Sequence, residues 1–404
     1  MNFTQKSIKP KADSLNQPDY YLFIFVSILI IISMLFSYSL PTYAVVFYEY
    51  NNLHFFIRQF FVGILSIFLM WGLSFLNPYK ALKIIGMSSF ILFFIVMIAM
   101  PFLPSGLVTE SGGANRWIRL PGFSLSPVEF FKIGFIYFLA WSFSRRVYDQ
   151  PTKMKWKDEM LLVLPYFGAF LAIVFIVAFM QKDLGQVVLM GIILFIMLMF
   201  ANRSMKFFVS LGIVAIMGIV GLIMVAPHRI SRIQSWWSMV QDTILFFLPS
   251  SVASELRIKE FPEPYQVSHS LNAISNGGFS GTGLGEGTIK LGFLSEVHTD
   301  FVLAGIAEET GFIGFTCIVL LVATVVVRVL KISRRSNNQI FHLFSLGVAL
   351  MIIFAFLINA YGISGMIPIK GIAVPFLSYG GSALLSVSVA IGLVLSISRT
   401  VDLK

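Results

Sequence analysis

The feature that most constrains this chain is a succession of ten long apolar segments. A helix that crosses a lipid bilayer needs about 20 mostly apolar residues, and eight of these segments contain no charged residue at all. The other two carry Arg58 and the pair Glu129 and Lys132. The sequence therefore predicts an all-α polytopic membrane protein whose ten transmembrane helices lie at 20–40, 54–76, 84–103, 126–143, 160–180, 184–201, 207–226, 310–327, 343–368 and 371–398.

Composition excludes the main soluble alternatives. Only 12% of the 404 residues are charged and 57% are hydrophobic, whereas a soluble domain has about 25% charged residues. The chain therefore lacks the surface of a water-soluble globule and the polarity of a disordered chain. The first apolar segment is longer than the core of a signal peptide, which has about 7–15 residues, and no small-residue cleavage site follows it. We interpret it as a retained helix.

The net charge of +10 is typical of either a nucleic-acid-binding protein or a membrane protein with basic cytoplasmic loops. With ten spans, one side of the membrane holds 18 Lys and Arg residues in short loops and the other holds 9. This asymmetry predicts cytoplasmic termini and no nucleic-acid partner. The domain prediction is a cytoplasmic tail at 1–19, a membrane domain at 20–398 and a second cytoplasmic tail at 399–404.

Two outer loops stand out. The segment 104–125 is rich in turn-forming residues and carries Trp117 between two arginines. The segment 227–300 is far longer than the about 4–6 residues of an ordinary connection, and it forms a large extracytoplasmic loop between helices 7 and 8. Its first part has apolar residues at helical spacing, which predicts either a helix at the membrane interface or simple anchoring by tryptophan.

A glycine-rich stretch at 277–287 precedes Lys290. Successive backbone N–H groups in such a stretch can form an anion-binding nest, although its spacing does not match a dinucleotide-binding motif. A flexible gate loop is the alternative interpretation.

Charged residues inside or beside the spans are the candidates for chemistry. Glu129 and Lys132 share one helix face, either as a structural ion pair or as part of a site. Asp300 follows His298 at the outer end of a span, where it could act as a general base, hold a divalent cation or cap the helix. Helix-breaking residues near Lys370 indicate a cavity lined by backbone. We expect an outward-open cavity bordered by Lys370, Asp300, Trp117 and the glycine-rich stretch.

Four segments are similar to the SEDS family of membrane proteins (shape, elongation, division and sporulation). They are GGANRWIRLPGFSLSPVEFFK at 112–132, QKDLGQ at 181–186, the run from PYQVSHSL to EETGFIG at 264–314, and NAYGISGMIPIKGIAVPFLSYGGSALL at 359–385. The resemblance implies a ten-helix bundle and a peptidoglycan glycosyltransferase that polymerises lipid II. The Lys370–Gly371 pair is more similar to the division branch of the family than to the elongation branch.

Residue by residue, the resemblance implies Asp300 as the catalytic carboxylate. It also implies substrate-binding roles for Trp117, Glu129, Lys132, Ser378 and Tyr379. To these the sequence adds candidates from their positions. Arg119, Lys132 and Lys370 are basic residues that could stabilise a departing pyrophosphate. Lys290 follows the glycine-rich stretch that could bind a phosphate, and His298 lies beside the catalytic carboxylate. No cofactor is certain from these residues, and a divalent cation (Mg²⁺ or Mn²⁺) held by Asp300 is an open alternative.

The implied partners are lipid II and polyprenyl-linked glycan, a class B penicillin-binding protein that acts as a transpeptidase, and other membrane proteins of the division complex. The implied location is the bacterial cytoplasmic (inner) membrane at the division septum. Three other functions compete with this one: an elongation polymerase, a lipid II flippase and a non-catalytic scaffold for division.

Overall fold

The computed structural model describes residues 16–104, 106–111, 114–120, 123–147, 155–200, 205–258, 264–294, 296–368 and 371–403. Most of these residues are helical, as the apolar segments predict. The helices are α1 (Tyr20–Ser39), α2 (Thr42–Phe47), α3 (His54–Ser74), α4 (Pro78–Ala99), α5 (Pro127–Arg146), α6 (Trp156–Val174), α7 (Leu184–Phe200), α8 (Met205–Met224), α9 (Pro227–Leu245), α10 (Ser250–Leu256), α11 (Tyr265–Gly277), α12 (Val302–Arg335), α13 (Gln339–Ile363) and α14 (Gly381–Ser398).

Within the described part of the chain, seven helices or helix pairs are long and apolar enough to cross a membrane. An eighth candidate is the pair Ile216–Met224 and Arg229–Leu245, which is bent by 106°. The chain is therefore a multi-pass helical membrane protein, and the count of ten spans stays a prediction. Two predicted spans are not among these candidates. The helix α7 has only 17 residues, and α5 carries charged residues inside the bundle.

A small antiparallel sheet corrects the interpretation of 104–125 as a loop. Its strands are β1 (Val108–Ser111), β2 (Ala114–Leu120) and β3 (Phe123–Leu125), in the order β1-β2-β3. Trp117 pairs with Thr109 across the first two strands. β-branched and aromatic residues favour a pleated surface, and here they outweigh the turn-forming composition of the segment.

Three element boundaries matter for the site. The last predicted span begins as a helix only at Gly381, so 371–380 is irregular backbone beside the bundle. The long loop 227–300 contains the helices α9, α10 and α11. Helix α12 starts at Val302 and bends at Gly311, whose φ of 66° lies in the left-handed region. A side chain at Gly311 would clash with the backbone nitrogen of Gly281, so the bend brings α12 close to the glycine-rich stretch.

The first and last helices are joined near the two ends of the described chain. The Asp19 carboxylate caps α1 and forms an ion pair with Arg328, with 2.7 Å between the two groups. The backbone N–H of Asp19 donates to Ser398 Oγ at 3.0 Å. α14 packs most extensively on α3, and α4 on α5, so the polar contacts close a bundle held together by apolar packing.

Candidate active site

A cavity of about 950 Å³ opens beside the irregular segment 371–380. This is within the range of small-molecule binding sites. Four residues predicted from the sequence line it, namely Asp300, Trp117, Glu129 and Tyr379. Its charged lining is completed by side chains from the α3, β2, α9 and 181–183 regions and from the loop before α12: Arg58, Arg116, Lys182, Asp183, Arg229, Arg232 and Glu296.

Asp300 lies two residues before α12 and is half-buried. The backbone around it is held by hydrogen bonds from two other parts of the chain. The Tyr379 N–H donates to the His298 carbonyl at 2.9 Å, and Ser378 Oγ donates to the Thr299 carbonyl at 2.7 Å. Asn359 Nδ2 donates to the carbonyl of Asp300 itself at 2.7 Å. The loop that carries Asp300 is therefore held by hydrogen bonds to three successive carbonyls, those of residues 298, 299 and 300.

Gly371 lies directly against the Asp300 carboxylate. A Cβ atom at this position would clash with Oδ2 and would lie 3.2 Å from the carboxylate carbon. Only a residue without a side chain leaves the carboxylate in its present place. The glycine that resembles the division branch of the family thus has a direct steric role.

The environment of Asp300 favours its protonated form. The pKa of its carboxyl is raised from 3.8 to about 6, mainly by burial and also by the nearby carboxylates of Glu296 and Asp183, while Arg116 opposes this shift. Burial also raises the pKa of Asp183. A carboxylate that titrates near neutral pH is suited to accept a proton from a substrate hydroxyl.

Of the two arginines that flank Trp117, Arg116 lines the cavity and Arg119 does not. The Arg116 guanidinium donates to the carbonyls of Gln181 and Lys182 at 2.9 Å each, which ties β2 to the turn before α7. Arg119 is exposed, donates from Nε to Thr109 Oγ1 at 2.9 Å and is not among the lining residues. Both arginines flank Trp117, so the sequence alone could not choose between them.

Glu129 and Lys132 form the ion pair that their spacing predicts, with 2.8 Å between Lys132 Nζ and Glu129 Oε2. Gln186 Nε2 donates to the other Glu129 oxygen at 3.0 Å. Glu129 lines the cavity, whereas the buried Lys132 lies behind it. This places Lys132 as the counter-ion of Glu129 rather than as a cation facing a ligand.

His298 and Ser378 support the site from behind. The His298 ring packs 5.0 Å from Phe55 and 5.6 Å from Tyr379, and burial lowers its pKa, so it is neutral at physiological pH. Ser378 Oγ also accepts a hydrogen bond from the Val374 N–H at 2.8 Å. Both residues are absent from the cavity lining. Burial raises the pKa of the Tyr379 phenol, which does line the cavity.

Lys290 and the glycine-rich stretch lie elsewhere, contrary to expectation. Lys290 is buried and forms an ion pair with Glu309, with 2.5 Å between Nζ and Oε1. The N–H groups of Thr288 and Ile289 donate to Glu308 Oε1 at 2.8 and 2.9 Å. A carboxylate of the protein itself thus occupies the position in which we expected an external anion. Neither Lys290 nor the stretch 277–287 lines the cavity.

Lys370 lies outside the described residues, so its predicted role stays a prediction. Among the residues that the structure describes, no group of three or more His, Cys, Asp or Glu side chains is placed to hold a metal ion. Asp300 faces Glu296 and Asp183 only through longer-range electrostatic effects. We therefore derive no chemical step through a cation.

The sequence profile of the cell cycle protein family that comprises FtsW, RodA and SpoVE matches residues 19–403. The chain belongs to this family. A probable peptidoglycan glycosyltransferase FtsW of Helicobacter pylori strain J99 is 48% identical over 384 residues, which cover 94% of this chain and 98% of the relative. The stage V sporulation protein E of Bacillus subtilis is 30% identical, with 95% of this chain and 97% of the relative covered.

Solved structures of the FtsW, RodA and SpoVE family share the fold. The crystal structure of the rod shape determining protein RodA of Thermus thermophilus superimposes with a TM-score of 0.59 at 20% identity, covering 96% of this chain and 98% of that one. A chain from a structure titled as a peptidoglycan synthase complex that coordinates polymerization and crosslinking gives a TM-score of 0.68 at 20% identity, covering 95% and 98%. These likenesses establish a RodA-like fold for this FtsW, RodA and SpoVE family member.

Several cavity residues escaped the reasoning from sequence. Asp183 caps α7, since its Oδ1 accepts a hydrogen bond from the Gln186 N–H at 3.3 Å, and it also lines the cavity. Arg58 on α3 and Arg232 on α9 line the cavity as well, and neither was among the site residues predicted from the sequence. The available signal was the position of each residue at the outer end of a span, where a bundle can leave a polar opening.

Proposed function

We propose that this protein is a peptidoglycan glycosyltransferase that polymerises lipid II into glycan strands at the outer face of the cytoplasmic membrane. The observation that carries the proposal is the position of Asp300. Its backbone carbonyl is held by a hydrogen bond, and the residue lines a cavity that is rich in arginine. The H. pylori relative named probable peptidoglycan glycosyltransferase FtsW supports this activity, at nearly full coverage of both chains.

In the proposed reaction, Asp300 accepts the proton of a sugar hydroxyl on the acceptor. The hydroxyl oxygen then attacks the anomeric carbon of the donor, whose bond to the pyrophosphate oxygen breaks. The electron pair of that bond leaves with the polyprenyl pyrophosphate. A base with a pKa near 6 is ionised at neutral pH and remains basic enough to assist this transfer.

The leaving pyrophosphate requires positive charge. Arg58, Arg116, Lys182 and Arg232 line the same cavity as Asp300, and cations held in place before the reaction stabilise developing negative charge. Arg229 and Arg116 already donate hydrogen bonds to backbone carbonyls, Arg229 to those of Leu222 and Ala178 at 2.6 and 2.7 Å and Arg116 to those of Gln181 and Lys182 at 2.9 Å each. We therefore assign the pyrophosphate first to Arg58, Lys182 and Arg232, with Lys370 as a further candidate. Arg119 and Lys132, which the sequence also suggested for this role, are absent from the cavity lining.

The cellular setting is part of the proposal. The naming of the H. pylori relative as FtsW and the Lys370–Gly371 pair favour the division branch, at the septum, with both termini in the cytoplasm. The structural relative titled as a peptidoglycan synthase complex supports pairing with a class B penicillin-binding protein. A divalent cation bound with the substrate at Asp300 stays a possible addition to this scheme.

The test is polymer formation from labelled lipid II by the purified protein with its partner transpeptidase. We expect Asp300→Asn to lose about 10²–10⁴-fold in rate, as removal of a general base does. The matched control is Glu296→Gln, which removes a carboxylate from the same cavity and should retain activity within a few fold. Full activity of Asp300→Asn would refute the assignment.

The same preparation distinguishes the rival functions. A flippase would move labelled lipid II across a vesicle membrane without making polymer, and a scaffold would do neither while Asp300→Ala still supported growth. Depletion in the source cell separates the branches, since filaments indicate division and rounded cells indicate elongation.

A further inference from the structure

Asn359 is a buried polar residue near the end of α13, at a depth where the helix is otherwise packed with apolar side chains. Its Nδ2 group donates to two carbonyls that belong to different segments. One is the carbonyl of Asp300 at 2.7 Å, and the other is the carbonyl of Ile372 at 2.9 Å. Both hydrogens of the amide are thereby used.

The orientation of this amide is dictated by its partners. A carbonyl oxygen can only accept a hydrogen bond, so a flipped amide would place Oδ1 against two other acceptors. The price of the observed orientation is that Asn359 Oδ1 is buried with no hydrogen-bond partner among the described residues. An unsatisfied buried acceptor destabilises a fold, so Asn359 carries an energetic cost that a purely apolar residue would avoid.

The two carbonyls define the place in which the Asp300 carboxylate lies. One precedes α12, and the other follows Gly371, the residue against which Asp300 Oδ2 packs. A single amide therefore fixes the spacing between the carboxylate and the backbone that faces it. The neighbouring contacts, from Ser378 Oγ to Thr299 and from Tyr379 N–H to His298, hold the two preceding residues but not Asp300 itself.

We propose that Asn359 is a positioning residue for Asp300, which acts by bridging the Asp300 and Ile372 carbonyls and so holds the carboxylate at its working distance from the substrate hydroxyl. Asn359 is absent from the cavity lining, so it acts through Asp300 and does not touch the ligand. This inference rests on the function proposed above.

The test is the steady-state rate of lipid II polymerisation, together with lipid II binding, for Asn359→Leu. Leucine has a similar size and removes both donors. Because misplacing a catalytic group by about 1 Å can cost about 10²-fold, we expect kcat to fall about 10–100-fold while the Kd for lipid II stays within two-fold. We also expect the acidic limb of the pH–rate profile to move to lower pH, since a loosened Asp300 becomes more hydrated.

The matched control is Ser270→Ala. Ser270 is also buried, and its Oγ donates to the carbonyl of Ile363 at 2.6 Å at the end of the same helix α13, whereas its other hydrogen bond goes to the Val267 carbonyl of its own helix. This variant should keep both its rate and its pH profile. Should Asn359→Leu not be recovered as a monodisperse protein, Asn359→Ser retains one donor and provides the same comparison with a smaller expected loss.

Three results would overturn the proposal: an unchanged kcat in Asn359→Leu, a loss confined to lipid II binding, or an equal loss in Ser270→Ala. Failure of the proposed function would give different results. If the proposed function were wrong, the wild-type protein would make no polymer or Asp300→Asn would remain fully active, whatever the behaviour of the Asn359 variants.

Discussion

Two regions of this protein hold carboxylates near the same end of α12. In one region the carboxylates are paired with other groups of the protein, and in the other the carboxylate is left unpaired by the described residues. In the region behind the glycine-rich stretch, Glu309 pairs with Lys290, and Glu308 accepts hydrogen bonds from Thr288, Ile289 and Asn276. In the cavity, Asp300 forms no ion pair with the described residues, and the surrounding structure binds its backbone instead. The first arrangement stabilises charge within the fold, and the second leaves a carboxylate available for a ligand.

The difference shows why dense motifs are poor guides to the chemical centre. The glycine-rich stretch looks like a binding loop, but several of its N–H groups already donate to carbonyls of the protein, among them those of Thr282 and Gly283, which donate to α12. In contrast, the segment 371–380 contains no charged residue, yet Gly371, Ala373, Tyr379 and Gly380 line the cavity together with Asp300. A binding site therefore needs groups that the fold leaves unsatisfied, and a motif alone does not reveal which groups those are.

The largest expected effect is on the paired region. Lys290→Met would leave the Glu309 carboxylate buried without its cation, and removing one partner of a buried pair costs about 3–5 kcal/mol. We expect a marked fall in the midpoint of thermal unfolding in detergent. Adding Glu309→Gln should recover most of this loss, because no buried charge is then left alone. If the single variant Lys290→Met were as stable as wild type, the ion pair with Glu309 would not stabilise the fold, and the contrast drawn between the two regions would be wrong.

The next effect falls on the cavity. Gly371→Ala would push a methyl group into the Asp300 carboxylate, so we expect polymerisation to slow by about 10–100-fold with little change in thermal stability. Gly292→Ala is the matched control, because Gly292 lies in the chain segment that leads to Asp300 and an added Cβ there meets nothing within 4 Å. Equal rates for the two alanine variants would show that the carboxylate can move without consequence.

The smallest effect is a dependence on pH. Since burial and the neighbouring carboxylates raise the pKa of Asp300 to about 6, the general base is ionised above that pH and is lost as pH falls below it. We expect the polymerisation rate to fall about tenfold for each unit below pH 6 and to be flat between pH 7 and 8. The residual rate of Asp300→Asn should lack this acidic limb. A wild-type profile that stayed flat down to pH 5 would argue against Asp300 as the titrating base.

The sequence predicted the helical membrane fold well, because apolar segments of about 20 residues have few alternatives in a bilayer. It also singled out Asp300, Trp117, Glu129 and Tyr379, which line one cavity. It did not predict the sheet β1–β3, where local pairing outweighs a turn-like composition. Nor could it choose Arg116 over Arg119, since that choice depends on how β2 meets the turn at 181–183.

Lys290 was misplaced for a related physical reason. Its sequence neighbours suggest a loop open to a ligand, whereas its actual partner, Glu309, lies 19 residues further along and on the next helix. Long-range pairing of charges across a bundle is not encoded in local spacing. Asn359 is the first residue of one of the four segments that resemble the SEDS family, but the resemblance assigned it no role, and a single amide in an apolar helix does not indicate which carbonyls it will contact.

The backbone contacts around Asp300 have a consequence for how this protein can change over generations. The groups that hold residues 298–300 all bind main-chain carbonyls, which every amino acid possesses. The shape of the loop is therefore inherited largely through Asn359, Ser378 and the backbone of Tyr379. Of the loop's own side chains, Thr299 contributes through its hydroxyl, which donates to the Glu296 carboxylate at 2.8 Å. We expect position 299 to tolerate serine, which keeps this hydroxyl, while the side chain of Asp300 is retained for its chemistry.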